Sequence, residues 1–89
     1  MKYNRVFVIP EAKVGEERKT VVMRTWLGAR LAFSSTGNIN HMYMVEEYDG
    51  VLLHDSVSKL VKDSNVAELE SSLEDRFGSS VTKLLPRSY

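Results

Sequence analysis

Two arginines and the single tryptophan of this chain form the group of residues with the clearest binding chemistry: Arg24, Trp26 and Arg30. In residues 21–33 the odd positions are apolar or small, whereas these three residues stand at even positions. A β-strand directs alternate side chains to opposite faces, so it would place both guanidinium groups and the indole on one face. Trp and Arg are the residue types most enriched in protein-interaction hot spots, so this pattern predicts a binding surface.

The predicted surface admits three interpretations. The predicted partner-binding residues are Arg24, Trp26, Arg30, Arg18 and Lys19, with Arg5 nearby. The first interpretation is contact with another protein. The second is binding of single-stranded nucleic acid, with Trp26 stacked on a base, although a net charge of zero and a pI near 6.7 are low for a nucleic-acid domain. In the third, Trp26 is buried under a helix or a second subunit, and the arginine stems cover its edge.

The other candidate groups for catalysis or metal binding do not converge on the predicted strands. His54 and Asp55 are adjacent, so a strand would direct them to opposite faces, and the same holds for Glu46 and Glu47. His41 lies too far from His54 along the predicted hairpin to share a metal ion. No glycine-rich phosphate loop and no G-x-S-x-G motif occurs in the sequence. We therefore predict no catalytic residue, no metal and no cofactor.

Composition places the chain among small soluble globular proteins. Its 89 residues predict one domain over 1–89, with 43% hydrophobic and 27% charged residues. No apolar segment approaches the roughly 20 residues that span a membrane, and the first residues lack a signal-peptide pattern. The absence of cysteine is typical of a reducing compartment, so we expect a cytoplasmic protein without membrane association.

Charge is distributed unevenly along the chain. Residues 1–40 carry seven lysines and arginines against three glutamates, whereas residues 41–78 carry three basic against nine acidic residues. Such an asymmetry can steer a charged partner toward one side of a molecule.

Strands and a loop are predicted for the first part of the chain. Residues 3–9 are rich in β-branched and aromatic types, which predicts a first strand ending at Pro10. The charged residues 10–19 predict a mobile loop. A second strand is then expected over 20–33, with Gly28 marking a bulge or bend.

A hairpin is predicted next. The pair Asp49-Gly50 separates two apolar-rich runs, 41–48 and 51–57, which is typical of a tight turn between a third and a fourth strand. From Val57 onward, apolar residues recur at the spacing of one helical face, which predicts a short first helix.

A second, clearer helix and a last strand complete the prediction. Asn65 is a good N-cap, apolar residues follow at helical spacing over 66–77, and Gly78 stands just past the end. Residues 80–85 predict a short final strand.

These elements predict an α+β fold in the order β-β-β-β-α-α-β, with one or two helices packed on one face of a small antiparallel sheet. The other sheet face would then be exposed or available to a second subunit. We therefore expect a non-enzymatic protein-binding module, such as an adaptor, inhibitor or regulator, that acts through the exposed sheet face and is a candidate homodimer. The alternative is a single-stranded nucleic-acid binder that uses the same face.

Overall fold

A four-stranded antiparallel sheet forms the centre of the computed structural model, which describes residues 2–36, 41–50 and 52–84. The elements are β1 (Tyr3–Val14), β2 (Glu17–Met23), α1 (Trp26–Ser34), β3 (Met42–Tyr48), α2 (Leu53–Asp63), α3 (Leu69–Phe77) and β4 (Val81–Leu84). The strands lie in the order β2-β1-β3-β4. The predicted α+β class and the small antiparallel sheet are therefore confirmed.

Helices pack on both faces of this sheet. Val6 and Val8 of β1 face α2 and α3 in one core, whereas Phe7 and Ile9 face α1 in a second core. All four residues are fully buried, since a strand covered on both faces needs a continuous apolar run. The two predicted helices do share one face of the sheet, and α1 on the opposite face was not predicted. No helix within the described ranges is long and apolar enough to cross a membrane.

Residues 26–33, predicted as the second half of a strand, form α1 instead. Thr25 is extended and its hydroxyl oxygen accepts a hydrogen bond from the Gly28 N–H at 3.1 Å, which caps the helix. The strand prediction was wrong here because apolar residues occupy both the inner and the outer side of this helix. Without a polar face, the helical period is hidden and the period of two is a coincidence.

Residues 10–19, predicted as a loop, instead continue the two strands of the β1–β2 hairpin. Between Ile9 and Ala12, β1 carries one residue more than β2, so Pro10 stands in a β-bulge. A bulge tolerates proline, which is why the strand does not end there. The bulge also shifts the alternation by one residue, so Ile9 and Ala12 face the same core. Gly15, with φ of 66°, begins the turn that joins the strands.

The predicted fourth strand over 51–57 is also wrong: residue 51 lies outside the described residues, and Leu53 begins α2. Asp49 does turn the chain, with φ of 60°. However, its N–H donates to the Lys2 carbonyl and its carboxylate accepts from the Lys2 N–H, which ties it to β1. Leu53 and Val57 are both buried one helical turn apart, so the helical period begins earlier than predicted.

The second predicted helix and the last strand are confirmed. Asn65 accepts a hydrogen bond from the Glu68 N–H at 2.9 Å, and a 3-10 turn, Val66–Glu68, leads into α3. Gly78, with φ of 53°, follows its last residue. β4 pairs with β3 at the edge of the sheet. Residues 85–89 lie outside the described part of the chain.

Candidate protein-contact surface

Helix α1 exposes three large apolar side chains to solvent. Its sheet-facing side carries Gly28, Ala29, Ala32 and Phe33. On the opposite side, Trp26 is 44% exposed, Leu27 71% and Leu31 66%. Soluble helices ordinarily place polar residues on this side, whereas α1 carries apolar residues on both its inner and its outer side. We call the outer side, formed by Trp26, Leu27, Arg30 and Leu31, the α1 surface.

Trp26 is neither buried nor detached from the fold. Its ring packs against the buried Phe7 ring, with centroids 5.5 Å apart and planes tilted by 53°. The Arg5 guanidinium lies 5.5 Å from the centroid of the same Phe7 ring. Phe7 therefore fixes the position of the indole, while nearly half of Trp26 stays accessible to a partner.

The structure divides the predicted site residues among three places. Trp26 and the exposed Arg30 lie one turn apart on α1. Arg24 is exposed in the turn between β2 and α1, and it lines a pocket together with Arg5. Arg18 and Lys19 are exposed on β2 near the hairpin turn, where the Arg18 guanidinium donates to the Glu11 carbonyl at 3.4 Å. The five residues therefore do not form one contiguous cluster.

Sequence reasoning missed Leu27 and Leu31, because the predicted strand places these odd positions on the face opposite Trp26 and Arg30. A signal for their exposure does exist in the sequence. Small residues recur at 28, 29 and 32, the spacing of one helical face, directly after a threonine suited to cap a helix. A helix packed through that small-residue face would leave the leucines outside.

Part of the sheet beside α1 is also exposed. Tyr3 and Tyr48 pair across β1 and β3, with ring centroids 5.0 Å apart, and they are 44% and 60% exposed. The Tyr3 hydroxyl donates to the Glu46 carboxylate, and this hydrogen bond is the main reason that the pKa of Tyr3 is raised above its usual value. The exposed part of this sheet face is therefore limited to the region around Tyr3 and Tyr48, which α1 does not cover.

A second polar cluster lies on the opposite face, between the sheet and α3. The Tyr43 hydroxyl donates to the Glu70 carboxylate at 3.2 Å, and the Lys83 ammonium lies 3.3 Å from the same carboxylate. Burial, followed by the charge of Glu70 and this hydrogen bond, raises the pKa of Tyr43 to about 12. The phenol therefore stays protonated at neutral pH and fastens α3 to β3.

The histidines are placed differently from the prediction. His41 precedes β3, whereas His54 lies in the first turn of α2, where its Nδ1 is 3.7 Å from the Asp55 carboxylate. Adjacent helix residues can approach in this way, but 3.7 Å is too long for a hydrogen bond. Among the residues that the structure describes, no group of three or more histidine and acidic side chains is arranged to hold a metal ion.

Comparisons with known proteins give no match: no family model, no curated protein and no solved structure corresponds to this chain.

Proposed function

We propose that this protein is a non-catalytic binding module that contacts another protein through the α1 surface. The observation that carries the proposal is the apolar outer side of α1, where Leu27 is 71% and Leu31 66% exposed. Exposed apolar residues are common singly, but a cluster on one helix face is typical of an interaction site.

The proposed partner offers an apolar groove bordered by carboxylates. Full burial of a leucine contributes about 1.5–3 kcal/mol, so the two leucines supply the apolar part of the contact. Trp26 adds a ring already positioned by Phe7, which lowers the entropic cost of ordering it on binding. Arg30 lies on the same surface and favours an acidic border.

The α1 surface alone is small for a stable complex. A nine-residue helix is only about 13 Å long, whereas a standard interface buries about 800 Å² on each partner. We propose that the exposed Tyr3–Tyr48 pair extends the contact, because both tyrosines lie on the α1-covered face of the sheet. A module of this size is suited to act as an adaptor, inhibitor or regulator. The absence of cysteine favours the cytoplasm as its site of action.

A site-specific photo-crosslinker tests the proposal. The photoreactive residue replaces Leu31 in one variant and Val66 in a control variant, because Val66 is an apolar residue, 49% exposed, before α3. Both variants are irradiated in cells of the source organism. We expect a discrete polypeptide adduct from position 31 and none from position 66, and we expect Arg30→Glu to weaken the adduct.

Three results would contradict this function. Equal adducts from the two positions indicate nonspecific contact, and the absence of any adduct from position 31 removes the α1 surface as a binding site. An adduct that nuclease digests identifies nucleic acid, which is the alternative function. An adduct with twice the mass of the chain supports protein contact and identifies the partner as a second copy.

A further inference from the structure

The edge of β1 is open at its first residues, because β2 is shorter than β1. β2 ends at Met23, which pairs with Phe7, so its pairing with β1 covers only the part of β1 from Phe7 onward. The chain then turns through Arg24 into α1. Residues 3–6 of β1 are paired with β3 on one side, and on the other side they border a pocket.

The register identifies which main-chain groups face this open edge. Lys2 and Asp49 continue the β1–β3 ladder, and both the N–H and the carbonyl of Lys2 bond to Asp49. In an antiparallel ladder the groups of alternate residues point to the same side. The main-chain N–H and carbonyl of Asn4 therefore face β3, as those of Lys2 do. The main-chain N–H and carbonyl groups of Tyr3 and Arg5 face the open edge.

The pocket at this edge has a volume of about 630 Å³ and a basic lining. Lys2, Arg5, Arg24 and His54 contribute to its wall, and none of the described lining residues is acidic. Lys2, Arg5 and Arg24 form no ion pair with the residues that the structure describes. Four carboxylates lie around this wall. That of Asp49 accepts from the Lys2 N–H, and the Glu47 side chain packs against Gly50. That of Glu46 accepts from the Tyr3 hydroxyl, and that of Asp55 lies 3.7 Å from His54 Nδ1.

We propose that the open edge of β1 binds an extended acidic segment of a partner protein, which adds to the sheet as a further strand beside Tyr3 and Arg5. The main chain of the segment pairs with the N–H and carbonyl groups of these two residues. Its carboxylates contact Arg5, Arg24 and Lys2. This is strand addition to a sheet edge, in which main-chain bonds give affinity and side-chain pockets give selectivity.

The edge favours a polypeptide over another anion. Donors and acceptors of Tyr3 and Arg5 alternate along the edge with the two-residue repeat of a strand, about 6.8 Å, which matches another main chain. A phosphate group would use the donors and leave the carbonyls without partners. Positive charge at a sheet edge repels basic strands and discourages self-pairing, so the same cations select an acidic segment.

Fluorescence anisotropy with labelled synthetic peptides tests the proposal. The probe is a nine-residue peptide of alternating Thr and Glu with blocked ends. One control has Lys in place of Glu, and a second has the acidic sequence with all internal amide nitrogens methylated, which retains the charge but cannot pair as a strand. An oligothymidylate of equal charge is the third. We expect only the first peptide to bind.

Variants and amide exchange locate the binding. Arg24→Gln should weaken binding by up to about fivefold, as for the loss of one exposed ion pair, whereas Arg76→Gln on α3 should not. The acidic peptide should slow amide hydrogen exchange at Tyr3 and Arg5 and leave Asn4 unchanged.

Four results overturn the proposal: no binding of the acidic peptide, equal binding of its methylated form, equal binding of the oligothymidylate, or unchanged exchange at both edge amides. The edge and the α1 surface are tested with different probes, so either can fail without the other.

Discussion

Helices α1 and α3 have the same length, nine residues, yet they divide their side chains in opposite ways. α3 buries Leu69 and Leu73 and directs carboxylates such as Glu74 to solvent. α1 buries Ala29 and directs Leu27 and Leu31 to solvent. The apolar surface of α3 is used within the fold, whereas much of that of α1 is left available for another molecule.

The difference arises from the two cores. On the α1 side the sheet itself supplies large residues, Phe7, Ile9 and Met42, so the helix contributes mainly small ones. On the α3 side the sheet supplies valines and Tyr43, and the helices supply the leucines. The exposed leucines of α1 are therefore not required to complete a core, which agrees with a role in binding.

Truncation of one leucine on each helix gives the largest expected contrast. Leu73→Ala should lower the free energy of unfolding by about 2–5 kcal/mol, because Leu73 is fully buried and its loss leaves a cavity. Leu31→Ala should change it by no more than about 0.5 kcal/mol, since the side chain is 66% exposed. Urea denaturation of both variants measures these differences.

The comparison fails if the two variants are destabilised equally. A stable homodimer through the α1 surface is one cause of that result, because Leu31 would then be buried in the assembly. Unfolding would in that case depend on protein concentration, so the measurement is repeated over a range of concentrations.

The same contrast explains which parts of the fold the sequence predicts. For α3, the cap at Asn65, the apolar stripe and Gly78 all indicate one helix. The structure confirms the buried Leu69 and Leu73 and the end at Gly78, whereas Asn65 caps a 3-10 turn before α3 and Val66 is 49% exposed. In α1 the cap at Thr25 is present, but the hydrophobic pattern reflects two apolar sides instead of one. The local pattern identifies α3, whose large apolar residues face the core of the fold. It fails at α1, which also has an exposed apolar side.

Spacing explains how the predicted site residues were distributed. Trp26 and Arg30 are four positions apart, a separation that places them on one side of either a strand or a helix. Arg24 and Arg30 are six apart, which only a strand would align. Trp26 and Arg30 therefore stay on one side of α1, whereas Arg24 lies at the pocket with Lys2. The open edge of β1 depends on where β2 ends, which the predicted second strand over 20–33 concealed.

The contact between Tyr43 and Glu70 on the polar side of α3 can be tested by the pH dependence of stability. The unfolded phenol ionises near pH 10 and the folded one at about pH 12, because of burial and the charge of Glu70. The unfolded state therefore loses this proton first as the pH rises. The contribution of Tyr43 to the free energy of unfolding is fully present below pH 10 and is lost between about pH 10 and 12. Tyr43→Phe should remove that decline.

Tyrosinate absorbance provides the matching readout. The chain has four tyrosines, so the titration of Tyr43 is taken as the difference between the wild type and Tyr43→Phe. A difference midpoint near pH 10 would show that the phenol is not held by α3. Tyr48→Phe is the control, because Tyr48 is 60% exposed on the opposite sheet face.

The caps provide the smallest contrast. Thr25 caps α1 itself, and Asn65 caps the 3-10 turn, Val66–Glu68, that leads into α3. Thr25 and Asn65 each accept a hydrogen bond from the N–H three residues later, at 3.1 and 2.9 Å. Alanine at either position should cost about 1 kcal/mol, whereas Thr25→Ser and Asn65→Asp retain the acceptor and should cost only a few tenths. Thermal denaturation measures the four variants. If Thr25→Ala is much less costly than Asn65→Ala, α1 is held by the contact of Trp26 with Phe7 rather than by its cap, and its outer surface is less dependent on local helix stability.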